Sequence, residues 1–175
     1  MRYPNTHRII QMAALISTLF LSLVAGASAQ DRADCTAASV LGAWGYTEAG
    51  TLILPTGAAP FAAVGKVTFD AAGNAIGTQA SSLAGRVSQD VVRGTYSVNA
   101  DCAGTMTVGV YDESGTLLRT IGLAFVIDDN ASETRAVVTS LVLPNGMSLP
   151  SVITLEARRL ALTRRNFVRN LENEQ

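Results

Sequence analysis

The amino-acid sequence predicts an all-β fold, an antiparallel up-and-down barrel of about eight strands. Glycine, alanine, threonine and valine dominate residues 35–159, aromatic residues are few, and no window there keeps a helical period. Turn signals recur at short intervals along the same region. Eight strands without a crossover helix either pack as two sheets or close into a barrel. We favour the barrel, because closure leaves no exposed strand edge.

The strands are expected between short turns that contain glycine, asparagine or aspartate. These residues tolerate a positive φ or hydrogen-bond to their own backbone. The turn signals lie at residues 55–57, 70–74, 99–101, 112–115, 128–130 and 144–146. The predicted strands lie near residues 41–54, 61–69, 74–83, 86–98, 104–112, 116–127, 134–143 and 150–159.

Alternating apolar residues predict which side of each strand faces the interior. Phe61, Ala63 and Val67 share one side of the second strand, and comparable sets occur on the later strands. Arg119 interrupts the apolar side of the sixth strand. Residues 137–143 are apolar on both sides, which predicts that the C-terminal segment covers them.

The first 29 residues have the pattern of a cleavable secretory signal. Arg2, His7 and Arg8 precede an apolar run over residues 9–25, and small residues follow at 27–29. The alternative is an uncleaved membrane anchor. We therefore expect a secreted or periplasmic protein with a signal peptide at 1–29, a barrel domain at 30–159 and a basic tail or helix at 160–175.

The basic tail has two interpretations, and the charge of the remaining chain excludes one class of partner. Residues 160–175 either dock to an envelope surface or form a helix or solvated terminus on the barrel.

Without residues 1–29, the chain has eleven cationic and fourteen acidic side chains, which gives a net charge near −3. No nucleic-acid partner is expected, because such binding needs a clearly basic face. The oligomeric state is left open.

Cys35 and Cys102 are the two cysteines of the chain. Export to an oxidising compartment predicts a disulfide between them, with two free thiols as the alternative. A metal site is not expected, because structural zinc takes four nitrogen or sulfur ligands.

Removal of the signal also removes His7, the single histidine. Ser-His-Asp and Cys-His catalysis and histidine-ligated metals are then excluded. The nucleotide-binding glycine motifs do not occur, so no cofactor is expected. Most carboxylates, including Asp70, Asp112, Asp128 and Asp129, fall in predicted turns, so a binding protein is favoured over an enzyme.

The sequence also permits predictions for Glu156, Arg119 and Trp44. Glu156 and Arg119 interrupt apolar strands and face either a cavity or water. A buried carboxylate at Glu156 would have a raised pKa and could orient a polar ligand or act as an acid. Trp44 needs a partner for its indole N–H, and Arg158 or Arg159 of the last strand is expected to stack over it.

Several motifs resemble known proteins. Residues 61–74, residues 94–105 and the sequence Glu-Ala-Arg-Arg at 156–159 resemble a group of small exported bacterial proteins of uncharacterised role. The Gly42-x-Trp44 start, the eight-strand meander and the late arginine resemble the calycin or lipocalin-like barrels and, more loosely, the allene oxide cyclase barrel. The first of these barrel resemblances implies binding of a small apolar molecule, and the second implies a cavity that shapes a reactive substrate.

The sequence hypothesis is a barrel that binds a small hydrophobic molecule, because many small residues and few aromatics leave interior space. The alternatives are a filled barrel that docks through its tail, and a cofactor-free cyclase or isomerase assisted by Glu156. The expected ligand-lining residues are Tyr46, Tyr96, Met106, Phe125 and Glu156.

Overall fold

A computed structural model, which describes residues 34–128 and 130–161, has eight antiparallel strands in a closed barrel. Each strand pairs with the next along the chain, and the last pairs with the first, which confirms the predicted fold class. A 3₁₀ turn at Ala37–Val40 precedes β1 (Gly42–Leu54), β2 (Gly57–Phe69), β3 (Asn74–Leu83), β4 (Arg86–Val98), β5 (Ala103–Tyr111), β6 (Leu117–Ile127), β7 (Glu133–Val142) and β8 (Ser151–Arg159).

The predicted signal at 1–29 and most of the predicted tail, residues 162–175, lie outside the described residues. That the C-terminal segment covers residues 137–143 therefore stays a prediction. Within the described part of the chain, no helix is long and apolar enough to cross a membrane.

The strand ends match the prediction to within one residue, except that β2 begins at Gly57 instead of 61. Pro60 lies inside this extension and lacks an N–H group for a ladder. The Pro60 carbonyl accepts a hydrogen bond from the Ala84 amide at 2.8 Å, on the side where β3 has already ended. The missing N–H therefore faces no strand partner, and the strand continues through the proline.

The turn carboxylates behave as the sequence predicts. Asp70, Asp112 and Asp128 each accept hydrogen bonds from backbone amides of their own turns. Hydrogen bonds from the side chain and backbone of Asn74 hold the pKa of Asp70 below its ordinary value. Asp129 lies outside the described residues.

One end of the barrel, here called the closed end, is sealed by the segment before β1. Trp44 is fully buried there, and its Nε1 donates to the Val40 carbonyl at 2.7 Å. The Arg159 guanidinium lies 4.7 Å from the indole centroid and donates to the carbonyl of Ser39 at 2.7 Å. The predicted stacking of a late arginine on the tryptophan is confirmed, with Arg159 as the residue.

A disulfide between Cys35 and Cys102 fixes the same segment to the β4–β5 turn. The predicted pairing of the cysteines is confirmed. The Cys35 amide also donates to the Ala100 carbonyl at 3.2 Å, so the bridge and a backbone hydrogen bond act at one place.

The opposite end, here called the open end, carries the turns at 55–56, 84–85 and 112–116 and the loop at 143–150. β7 pairs with β8 from Glu133 to Val137. Toward this end β7 pairs instead with the loop that follows it, where the Leu149 amide donates to the Leu141 carbonyl at 2.9 Å. A bulge beside Gly122 also shifts the pairing of β6 with β7. The regular ladder of β7 is therefore irregular near the open end, where the 143–150 loop continues the barrel wall to β1.

Two strand glycines allow neighbouring strands to approach closely. A Cβ added at Gly50 would collide with the Val152 carbonyl, and one at Gly94 would collide with the Thr107 carbonyl. These positions need glycine because the adjacent backbone occupies the space of a side chain, as is typical where a barrel wall bends.

Candidate functional site

The barrel interior contains two apolar clusters with polar side chains between them. The closed-end cluster surrounds Trp44, and the open-end cluster includes Leu52, Phe61 and Ile153. The buried polar residues are Glu48, Gln79, Ser81 and Asp90. The interior is therefore a layered one, with a polar belt between apolar ends.

A cavity of about 380 Å³, here called the chamber, occupies the open end. Its volume is in the range of small-molecule sites. Val87, which is 73% exposed, is among its lining residues, so the chamber reaches solvent. Its apolar walls include Leu52, Leu54, Phe61, Leu83, Ile121, Val138, Leu141, Leu143, Leu149 and Ile153, and its polar lining consists of Glu48, Ser81, Arg86, Ser88 and Arg119.

A second cavity of about 50 Å³ lies toward the closed end and has mostly apolar walls. Tyr46, Met106 and Phe125 line it, as does Glu48. Glu48 lines the chamber as well, so this residue lies between the two spaces.

Asp90 is the acceptor at the centre of the polar belt. Its Oδ2 accepts hydrogen bonds from Gln79 Nε2 at 3.0 Å and Ser81 Oγ at 3.0 Å. Arg119 donates to the same oxygen at 3.2 Å, forming an ion pair. Burial raises the pKa of Asp90, but these hydrogen bonds and the arginine charge outweigh burial and hold the pKa below its ordinary value. Asp90 is therefore a carboxylate at neutral pH.

Tyr46 extends this network from β1. Its hydroxyl donates to Gln79 Oε1 at 2.9 Å, while the Gln79 amide donates to Asp90. Burial raises the pKa of Tyr46, and the charges of Glu48 and Asp90 raise it further. Tyr46 consequently stays a protonated donor whose role is to orient Gln79.

Glu48 differs from the other belt residues because it has no side-chain hydrogen bond or ion pair within the described ranges 34–128 and 130–161. Only 8% of its surface is exposed. Burial raises the pKa of Glu48 to about 7, although the Arg119 charge opposes the shift. The carboxyl group is thus near half ionisation at neutral pH.

Among the two charged residues that the sequence left open, Arg119 faces the interior and Glu156 does not. The Arg119 side chain reaches Asp90 and lies 6.0 Å from the Phe61 ring centroid. Glu156 is exposed on the outer wall, because Leu155 and Ala157 on either side of it point inward. The expectation that Glu156 contacts a ligand in the interior is therefore corrected.

The aromatic residues expected to line the site divide into two groups. Tyr46 and Phe125 line the small cavity together with Met106. Tyr96 lines neither space: its hydroxyl donates to the Asp70 carbonyl at 2.7 Å, and its ring packs against Phe69. Tyr96 lies near the end of β4 at the closed end, and these contacts give it a structural role there.

Sequence reasoning placed none of Glu48, Gln79, Ser81 and Asp90 in the barrel interior. The signal for Glu48 was present, because it follows the inward residues Trp44 and Tyr46 at a spacing of two. The position of Gln79 could be found in the same way from the buried Ala75 on β3.

Glu48 is expected to make the protein less stable as the pH rises from about 4.5 to about 7. The unfolded glutamate loses its proton near 4.5, whereas the folded carboxyl keeps it until about 7. Below this window both states hold the proton, and above it the charged form is buried at a cost of roughly 3 kcal/mol. Urea unfolding at several pH values should show the natural chain losing stability across the window relative to Glu48→Gln. A pH-independent difference between the two proteins would contradict the assignment.

No protein-family model matches this chain, and no curated protein sequence matches it either. The solved structures that match this chain at low sequence identity include the following two. The crystal structure of Rv2717c from M. tuberculosis matches at 16% identity and a TM-score of 0.39, covering 70% of this chain and 94% of that one. A protein of unknown function in the DUF3598 family from Nostoc punctiforme matches at 13% identity and a TM-score of 0.39, covering 78% of this chain and 53% of that one.

Proposed function

We propose that this protein is an exported carrier that holds a small, mainly apolar molecule in the chamber. The observation that supports the proposal is the chamber itself: about 380 Å³ of space with aliphatic walls at the open end of the barrel. Water against these aliphatic walls finds few polar partners, so its replacement there by the apolar part of a ligand is favourable. A filled barrel would leave no comparable space.

The location follows from the disulfide and from the signal pattern. The Cys35–Cys102 bond indicates an oxidising compartment, either extracellular or periplasmic. The signal pattern at 1–29 supports export into that compartment. In this setting a carrier meets ligands that are poorly soluble in water.

Binding of the neutral fluorescent probe N-phenyl-1-naphthylamine should report occupancy of the chamber. We expect saturable fluorescence enhancement with the natural chain. Leu83→Trp should weaken binding at least about tenfold, because an indole at this half-buried position fills the chamber.

Ile76→Trp is the matched control for this experiment. It lies on the same strand but on the outer wall, where it is 57% exposed, so probe affinity should not change. Absence of saturable binding to the natural chain, or equal loss in both variants, would overturn the proposed function.

A second function, cofactor-free isomerisation, is favoured by one observation. Glu48 is a carboxyl group with a pKa of about 7 beside an apolar chamber, which suits an acid or base at neutral pH. In this alternative, Glu48 takes the role that the sequence assigned to Glu156. Recovery of a bound ligand with altered chemical structure after incubation would favour catalysis, whereas a carrier returns its ligand unchanged.

A further inference from the structure

The charged groups of the polar belt do not balance. Glu48 and Asp90 supply two carboxyl groups, whereas Arg119 supplies the one cation of the belt among the described residues. Arg119 is already engaged with Asp90 at 3.2 Å. Arg86 also lines the chamber, but it lies exposed at the mouth, at the start of β4. Glu48 therefore lacks a buried cationic partner.

Glu48 is also the group most available to an occupant of the chamber. It is more than nine-tenths buried, it lines the chamber, and no described side chain donates a hydrogen bond to it. A buried carboxylate without a donor is costly, and a donor brought by a ligand removes that cost. The unpaired carboxyl group thus points to a ligand with hydrogen-bond donors.

Two hydroxyl groups line the same chamber. Ser81 and Ser88 are cross-strand neighbours whose Oγ atoms lie 2.9 Å apart. Each hydroxyl has lone pairs that can accept a further hydrogen bond, as a carboxylate can. Glu48 and these two hydroxyls therefore offer acceptors on one side of the chamber, which suits an ammonium head with three N–H donors.

An anionic head is disfavoured by the same charges. A fatty-acid carboxylate would lie beside the Glu48 carboxyl group, while the Arg119 charge is paired with Asp90 and Arg86 lies at the exposed mouth. The aliphatic walls around Leu52, Leu141 and Ile153 suit an alkyl tail. The acceptors near Glu48 and the aliphatic walls together suit an amphiphile with one basic nitrogen.

We propose that the chamber binds a cationic amphiphile, an alkylamine or related molecule, whose ammonium group is held by Glu48 and whose tail packs on the aliphatic wall. This inference rests on the proposed carrier function and specifies its ligand class. The requirement for a positively charged head group distinguishes this ligand class from apolar molecules in general.

The test displaces the fluorescent probe with three ligands of equal chain length: 1-octylamine, 1-octanol and octanoate. At about pH 8 the amine is protonated and Glu48 is ionised. We expect octylamine to bind at least about tenfold more tightly than octanol, and octanoate to bind most weakly, because a charge-assisted hydrogen bond adds to the shared apolar contact.

Glu48→Gln should remove the advantage of the amine over octanol. Glu156→Gln is the matched control, because it makes the same chemical change on the outer wall and should preserve the advantage. Lowering the pH to about 5 should reduce the amine preference in the natural chain. The other charged or titratable groups of this network are Tyr46 on β1, Asp90 on β4 and Arg119 on β6. The pKa of Tyr46 is raised and that of Asp90 is lowered, so neither of these two groups changes its protonation state between these pH values.

The outcomes separate the two proposals. Octanol binding with no preference for the amine, or a preference that survives Glu48→Gln, overturns the ligand class and leaves the carrier function standing. Failure of all three ligands and of the probe to bind overturns the carrier function and the ligand class together.

Discussion

Replacing Cys35 and Cys102 with alanine is expected to lower the free energy of unfolding by on the order of 4 kcal/mol. The bridge joins residues 67 positions apart, and such a crosslink restricts the unfolded chain strongly. It also holds the segment that carries Val40 onto the buried Trp44. Chemical unfolding monitored by circular dichroism measures the effect.

Treatment of the natural chain with reductant provides the control for this double variant. Reduced natural protein and the variant should unfold at similar denaturant concentrations, both well below the oxidised protein. Equal midpoints for the oxidised protein and the variant would contradict a stabilising role of the disulfide.

Trp44→Ala is expected to cost about 3–5 kcal/mol of stability. The indole is fully buried, donates to the Val40 carbonyl and packs edge-on against Phe69 with ring centroids 6.5 Å apart. Its removal leaves a void at the closed end and takes away the ring over which Arg159 lies. Urea unfolding of the variant measures the loss.

Trp44→Phe separates packing from the hydrogen bond. Phenylalanine retains much of the apolar volume but cannot donate to Val40, so its loss should be smaller than that of alanine. An alanine variant within about 1 kcal/mol of the natural chain would show that Trp44 does not stabilise the closed end.

The two ends of the barrel have different roles. At the closed end, the disulfide, Trp44 and Arg159 bring covalent, apolar and polar contacts to one small region. At the open end, the 143–150 loop replaces part of the β7–β8 ladder and the interior is incompletely filled. The stability of the closed end permits the chamber, because unfilled volume costs packing energy that must be offset elsewhere.

Local features of the sequence predicted most of the fold. Period-two alternation identified the inward side of β2 from Phe61, Ala63 and Val67, all of which are buried. Turn residues such as Asp70 marked the strand ends, because their side chains satisfy turn amides. The pairing of Trp44 with a late arginine followed from the need of a buried indole for neighbours.

The polar belt depends on strand register and on contacts across the interior. The two-residue turn at 84–85 places Gln79 opposite Asp90 and Ser81 opposite Ser88, and the alternation of apolar residues along each strand does not specify these pairs. Arg119 reaches Asp90 from β6, two strands along the barrel wall from β4, and no local pattern encodes such a contact. Interior volume is likewise a property of the assembled walls.

A crystal structure of the protein grown with 1-octanol tests the proposed carrier function most directly. We expect electron density for the alkyl chain inside the chamber, against Leu52, Leu141 and Ile153. A chamber filled by the protein's own side chains, with octanol absent or bound only on the outer wall, would contradict it.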